Sequence, residues 1–415
     1  MRSRIAARWK EARGVALIIV LAGITILAAF SSEFTYRSRV GIQAANNLER
    51  QVQAYFNARS GVEIARLVVT SQKMVDQAMS AFGQGKNIVQ LWQYAPKFAE
   101  IFAKQTLSFM GVDVIDLKAA EGLGVSEGSF LLEVSPEDSR VSINTGSSAQ
   151  ERKNLFTRLY PLLAGRVDPD SQATATGMDR KAAEVILNIM DWVDPDDERS
   201  DIDSNGNFVA AGGAGENVDY SRHGYRARNA KMDSSEELRL VEGITDDLYC
   251  ALGDQMTVYQ TEKLNVNEAD LRVLRAILCD NLMGDRMVAC GPTLDYPDAL
   301  MDRALGLMDQ CRRIKKELFM PPFSGENDFL GFFSRLPEPF ASTLAVNQGT
   351  LRPLIGVKSK VLRVTSRGWA GTSGWEITAV IDQGSTNWLH WRETGFDATP
   401  YLEQQKQLQA ELAAQ

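Results

Sequence analysis

The residues with the clearest chemistry form an acidic loop, Asp194-Pro195-Asp196-Asp197-Glu198-Arg199-Ser200-Asp201-Ile202-Asp203-Ser204-Asn205-Gly206-Asn207. Asp201, Asp203 and Asn205 ahead of Gly206 match the first half of an EF-hand calcium loop, D-x-D-x-[DN]-G. Alternate positions bring three oxygen ligands around one point, Gly206 allows a sharp turn, and the carbonyl of Asn207 follows as a further ligand. The second half departs from that pattern, because its twelfth position is Gly212 rather than Glu. A bidentate carboxylate then has to come from Glu216, Asp219 or Asp194. The plainer alternative is a solvated acidic loop. However, Asp194, Asp196, Asp197, Glu198, Asp201 and Asp203 repel one another, and an ordered loop needs something to neutralise them. Calcium is the expected cofactor.

Little else is arranged for reaction. The only histidines are His223, in a loop region, and His390, beside a tryptophan. That is too few for a Ser-His-Asp or zinc-hydrolase site, so no enzymatic activity is expected. Cys250, Cys279, Cys290 and Cys311 include no C-x-x-C pair, which argues against zinc. In an exported segment they form one or two disulfides, in any of three connectivities, or else remain buried thiols. The stretches Leu238–Leu252 and Leu264–Leu278 carry a faint helix-hairpin-helix pattern. Thr245-Asp246-Asp247 stand where a glycine and a basic residue would grip phosphate, so these are read as packing modules. The net charge is −8 and no basic stripe lies beyond the first 13 residues, so no nucleic-acid partner is expected.

The elements that must position these groups begin with the N-terminus. With 415 residues, 44% hydrophobic and 24% charged, the chain has room for two or three domains. Arg2, Arg4, Arg8, Lys10 and Arg13 face one acid, Glu11, and are followed by Val15–Phe30, which has no charged residue. A basic flank before an apolar run is the pattern of a segment entering a membrane with its N-terminus cytoplasmic. The run is slightly short of the ~20 residues a spanning helix needs, with Ser31, Ser32 and Thr35 suited to the headgroup layer. It reads as a signal anchor, as a signal peptide cut near Ala29-Phe30-Ser31, or as a segment trimmed at its cytoplasmic end and kept. The helical pattern continues past Phe30. Leu48, Val52, Tyr55, Val62 and Val69, with Ala44, Ala45, Ala58 and Ala65 between them, form one stripe on a helix reaching about Met79.

Further along, Asn87–Phe109 reads as a helix. Phe130–Val134 and Arg140–Ile143, joined through Ser135–Ser139, read as a β-hairpin. Asn154–Leu163 and Arg180–Val193 read as helices. Ser234 with Glu237 is a capping box opening another, which Gly243 closes. Asn267 is placed as the cap of a helix carrying Leu271, Val273, Leu274, Ile277 and Leu278. Lys360–Ser366 and Trp375–Ile381 are strands joined by a turn through Gly371 and Gly374, Trp388–Trp391 is a third, and Gln404–Ala414 is a short helix or tail. Strands on both sides of a helical middle give an α+β fold: a long N-terminal helix packed on a small antiparallel sheet, interrupted by a large, mostly α-helical insertion.

In this layout the chain resembles the K-type minor pseudopilins of the bacterial type II secretion system. The resemblance rests on Arg13-Gly14-Val15-Ala16-Leu17, on Tyr36-Arg37-Ser38-Arg39 followed by Ala58-Arg59-Ser60-Gly61-Val62-Glu63, on Asp191-Trp192-Val193-Asp194, and on Leu264-Asn265-Val266-Asn267-Glu268-Ala269. It implies a prepilin leader 1–14, cut by the prepilin peptidase between Gly14 and Val15 with methylation of the new amine. It also implies a transmembrane plus amphipathic helix 15–80, a pilin-like domain split over 81–146 and 341–397, an insertion 147–340 that binds calcium, and a tail 398–415. Ile19 stands where most pilins carry a membrane-buried glutamate, an absence shared with the K type that implies a place at the filament tip. The implied partners are the I- and J-type minor pseudopilins, the pseudopilus and the inner membrane, with the head periplasmic. The implied role is to initiate the pseudopilus and support export across the outer membrane. A type IV pilus tip or DNA-uptake minor pilin is the alternative.

Overall fold

The computed structural model describes residues 2–81, 90–104, 106–109, 112–116, 128–145, 148–164, 166–167, 179–203, 206–216, 220–261, 263–291, 299–318, 320–400 and 402–403. Helix α1 runs unbroken over Arg2–Ala81 and contains no proline. In its apolar run Leu17, Ile18, Ile19, Leu27 and Phe30 are all exposed. Among the described residues it is the one helix long and apolar enough to cross a membrane.

Its second half is a core element. A four-stranded antiparallel sheet runs in the order β12 (Trp388–Asp397), β11 (Ser373–Asp382), β10 (Val361–Ala370), β3 (Ser129–Pro136). Across it α1 lays Ala54, Ala58, Val62, Ala65 and Val69, all buried. These side chains are small, so the helix sits low on the sheet. At Gly368 the approach is so close that a Cβ would fall on the backbone nitrogen of Ala58 and the carbonyl of Ala54. At Gly61 a Cβ would strike the Ser366 hydroxyl. Tyr55 meets Trp375 edge-on at 5.9 Å. The stripe expected on α1 is therefore corrected at one end: Val62 and Val69 pack and Tyr55 is half-buried, but Leu48 and Val52 remain 62% and 47% exposed. Val52 lies far round the helix from the buried Ala54–Val69 face, since two residues are about 200° of turn.

The expected hairpin 130–143 does not form. β3 pairs with β10 instead, some 230 residues later, with Val134 opposite Val364. β4 (Val141–Ser142) pairs in parallel with β7 (Met256–Thr257). Glu137 and Asp138 cause this departure. Their carboxylates are buried and hold the start of β10: Arg363 and Arg140 donate to Glu137 Oε1 at 2.6 and 2.7 Å, and the Lys360 and Val361 amides donate to Asp138. The expected helix 87–109 is reduced to α2 (Ala95–Lys104), and Thr106–Phe109 (β1) pairs with Val112–Asp116 (β2). Residues 87–89 lie outside the described ones, as does the segment 404–414.

Between β3 and β10 the chain builds a separate apolar cluster running from Val141 to Val357. It contains α3 (Ala149–Leu163), opened by a Ser148/Glu151 capping box, and α4 (Arg180–Val193), capped by Asp179. Ser234 and Glu237 do form a capping box, but over a 3-10 helix, Ser235–Leu240. Asp246–Leu252 is α5. α6 (Leu271–Asp280) is capped by Asp270 rather than Asn267. Asn267 is buried, donating to the carbonyls of Phe323 and Val357 and accepting from the Phe323 amide. Cys279 at the end of α6 is bonded to Cys290 at the end of α7 (Arg286–Cys290), while Cys250 and Cys311 are free thiols. α8 (Leu300–Glu317) and α9 (Glu326–Ser334) complete the larger helices.

Candidate metal centre

The acidic loop folds as a β-hairpin, β5 (Glu198–Ile202) with β6 (Phe208–Gly215). Its turn is closed by its own polar groups. The Asn207 amide donates to Asp203 Oδ1 at 2.8 Å, the Asn207 side chain donates to Asp203 Oδ2 at 3.2 Å, and the Gly206 amide donates to the Asp203 carbonyl at 3.0 Å. Asp201 stands exposed on β5 with Oδ1 on the Ile202 amide. Asp203 and Asn207 thus meet each other at the tip, and Asp201 precedes them. Asn205 and Asp219 lie outside the described residues.

At the other end of the hairpin three carboxylates converge: Asp191, Asp194 and Glu216, each with an oxygen within 4.8 Å of the others. The last turn of α4 supplies Asp191, the residue after that helix supplies Asp194, and the residue after β6 supplies Glu216. All are buried, at 3%, 9% and 3% exposure. Asp191 is held by the Ser200 amide, which donates to both its oxygens at 3.0 and 3.2 Å. Arg152 on α3 donates to Asp194 Oδ2 at 2.9 Å and to Ser200 Oγ at 3.3 Å. Asp194 Oδ1 and both oxygens of Glu216 are buried without a hydrogen-bond donor. A buried carboxylate left in that condition is costly.

The electrostatics express that cost. Burial first, then the charges of Asp191, Asp194, Asp196 and Asp197, push Glu216 up to about 9. Burial, reinforced by Asp196 and Asp191 and opposed by Arg152, pushes Asp194 up to about 6. Burial also raises Asp191, against its bonds from Ser200. Such a cluster must take up either protons or a cation. Hard oxygen donors of this kind suit a calcium-class ion, and the orphaned oxygens are the ones a cation would satisfy. Asp191, a member of the cluster that the loop pattern overlooks, stands in the sequence three residues before Asp194. Trp192 packs edge-on against Tyr220 at 5.2 Å directly behind this end of α4.

Outside the centre, His223 lies 3.4 Å from Glu242, and His390 lines a cleft with Arg363, Arg392 and Tyr259.

No family model matches the chain, and no curated protein matches it. Among solved structures the chain is similar to the crystal structure of the GspK-GspI-GspJ complex from the type 2 secretion system of enterotoxigenic Escherichia coli. The likeness has 12% sequence identity and a TM-score of 0.41, and covers 65% of this chain and 80% of that one.

Proposed function

We propose that the chain is a minor pseudopilin of the K type, held in the bacterial inner membrane by α1 with its head in the periplasm. The observation that carries this reading is the continuity of α1. One helix is bare apolar surface from Val15 to Phe30 and, without a break, becomes the central packing element of the sheet from Ala54 onward. A signal peptide removed near Ser31 has no use for that continuity, whereas a subunit that inserts its helix into a filament does. Trimming between Gly14 and Val15, with methylation of Val15, leaves the helix intact. With Ile19 in place of a membrane carboxylate, no amine from a subunit above needs to be paired, so the chain sits at the tip and starts the filament. Its activity is assembly rather than catalysis, with I- and J-type minor pseudopilins as its partners. Calcium held by Asp191, Asp194 and Glu216 neutralises the buried cluster and joins the end of α4 to the end of β6. Asp201, Asp203 and Asn207 lie outside that ligand set.

The test is co-expression of the full chain with the I- and J-type subunits of its own secretion system. Isolation of a stoichiometric complex through a tag on this chain supports the reading. Recovery of this chain alone, with both other subunits folded in the same membranes, overturns it.

A further inference from the structure

The three carboxylates carry −3 and Arg152, bonded to Asp194, carries +1, which leaves −2 on these four side chains, with Asp196, Asp197 and Arg199 acting on them from further out. We infer that Arg152 is a specificity-determining residue that sets this centre for a divalent cation; the inference rests on the calcium reading above. Arg152 does not fill the site. Its Nη2 takes Asp194 Oδ2 and its Nη1 takes Ser200 Oγ, whereas the bare oxygens are Asp194 Oδ1 and the two of Glu216. One face of Asp194 is thus committed to the guanidinium and the other is open, so Asp194 can offer a cation one oxygen only. Glu216 keeps both.

The frame around this division is fixed from three sides. Arg152 projects from the first turn of α3, Asp191 and Asp194 come from the end of α4, and Ser200 on β5 ties to both Arg152 and Asp191. Arg152 therefore does two things: it removes one unit of negative charge and it turns Asp194. A divalent ion brings the four side chains and itself to neutrality, while a trivalent ion leaves an uncompensated positive charge in a buried place.

The full chain in detergent tests this with calcium alone and terbium alone as probes, read by calorimetry and by terbium luminescence excited through Trp192. In Arg152→Gln the residual charge becomes −3, and the ratio of terbium to calcium affinity rises roughly tenfold or more. Arg152→Lys, which keeps the charge and loses the fork, holds that ratio within about threefold of the parent. An unchanged ratio in Arg152→Gln, with calcium still bound, overturns the role of Arg152 and leaves the calcium reading standing. A parent chain that binds neither ion overturns both. Equal shifts in the glutamine and lysine variants also overturn the inference, because they mark Arg152 as packing rather than charge.

Discussion

The two cores of this molecule are built on opposite principles. The contact of α1 with the sheet uses the smallest residues available: Ala54, Ala58, Gly61 and Ala65 on the helix against Ser366 and Gly368 on β10. It gains stability from closeness, with backbone nearly touching backbone, and little of it can be substituted. The insertion uses large residues, Phe329, Phe333, Leu155, Leu159, Ile186 and Ile189. It is then fastened by a disulfide, by buried asparagines and, in our proposal, by a metal. A rod that, in our proposal, also packs in a bilayer keeps a narrow profile. A lobe added between two adjacent strands has to hold itself together.

The largest effect should come from breaking the closer contact. In Gly368→Leu the new side chain meets the backbone of α1, which cannot give way as a side-chain tip could. The rod–sheet unit should lose about 3 kcal/mol or more. Calorimetry should show its transition fall while the insertion's transition stays. One merged transition moving as a unit would mean that the two cores are not separable. Next, Cys279→Ser with Cys290→Ser releases an 11-residue closure in the insertion alone, with a loss of about 3 kcal/mol. Chemical denaturation of the oxidised and reduced chains provides the same comparison.

The proposed metal centre should give effects whose sign depends on calcium. Glu216→Gln replaces a buried carboxyl that, without metal, is kept protonated by burial and by Asp191 and Asp194. Without metal it should be neutral or stabilising, and with calcium it should forfeit most of the calcium-dependent rise in melting temperature. The pH dependence follows the same logic. Asp194 at about 6 and Glu216 at about 9 lie above the ~4 of unfolded carboxylates, so the metal-free folded state holds the extra protons. Metal-free stability should therefore fall as pH rises from about 4 to about 9. Calcium requires the deprotonated carboxylates, so at saturating calcium the slope should flatten or reverse. Melting curves across that range, with and without chelator, decide the matter.

The smallest effect is expected at Leu48 and Val52. Leu48→Gln or Val52→Thr should move the stability of the isolated chain by less than about 0.5 kcal/mol, since both are exposed. Either variant should weaken recovery of the complex with the I- and J-type subunits proposed as its partners. A loss of stability in the isolated chain would show that these residues pack against the head after all.

Much of the architecture can be read from the sequence because it depends on local signals. Arg180–Val193 has an aspartate cap and a clean 3.6-residue period, and it folds as read. The paired strands β10 and β11 alternate and are joined by a glycine turn. What the sequence conceals is non-local. Nothing near Phe130 announces that its partner lies beyond residue 360, because the pairing is enforced by Glu137 and Asp138 gripping the start of β10. The buried carboxylate cluster shows the same limit. The D-x-D-x-N-G string resembles a calcium loop, and in the fold its Asp203 accepts from the Asn207 amide and side chain within its own turn. Asp194 and Glu216 are both read from the sequence, but Glu216 meets Asp191 and Asp194 only because the hairpin returns it to the end of α4.

The central claim is that α1 is trimmed but retained. Mass analysis of the N-terminus of the mature protein, purified from inner membranes, tests it most directly. The account predicts a chain beginning at an N-methylated Val15. A chain beginning near Ser32, or one still carrying Met1–Gly14, would contradict it.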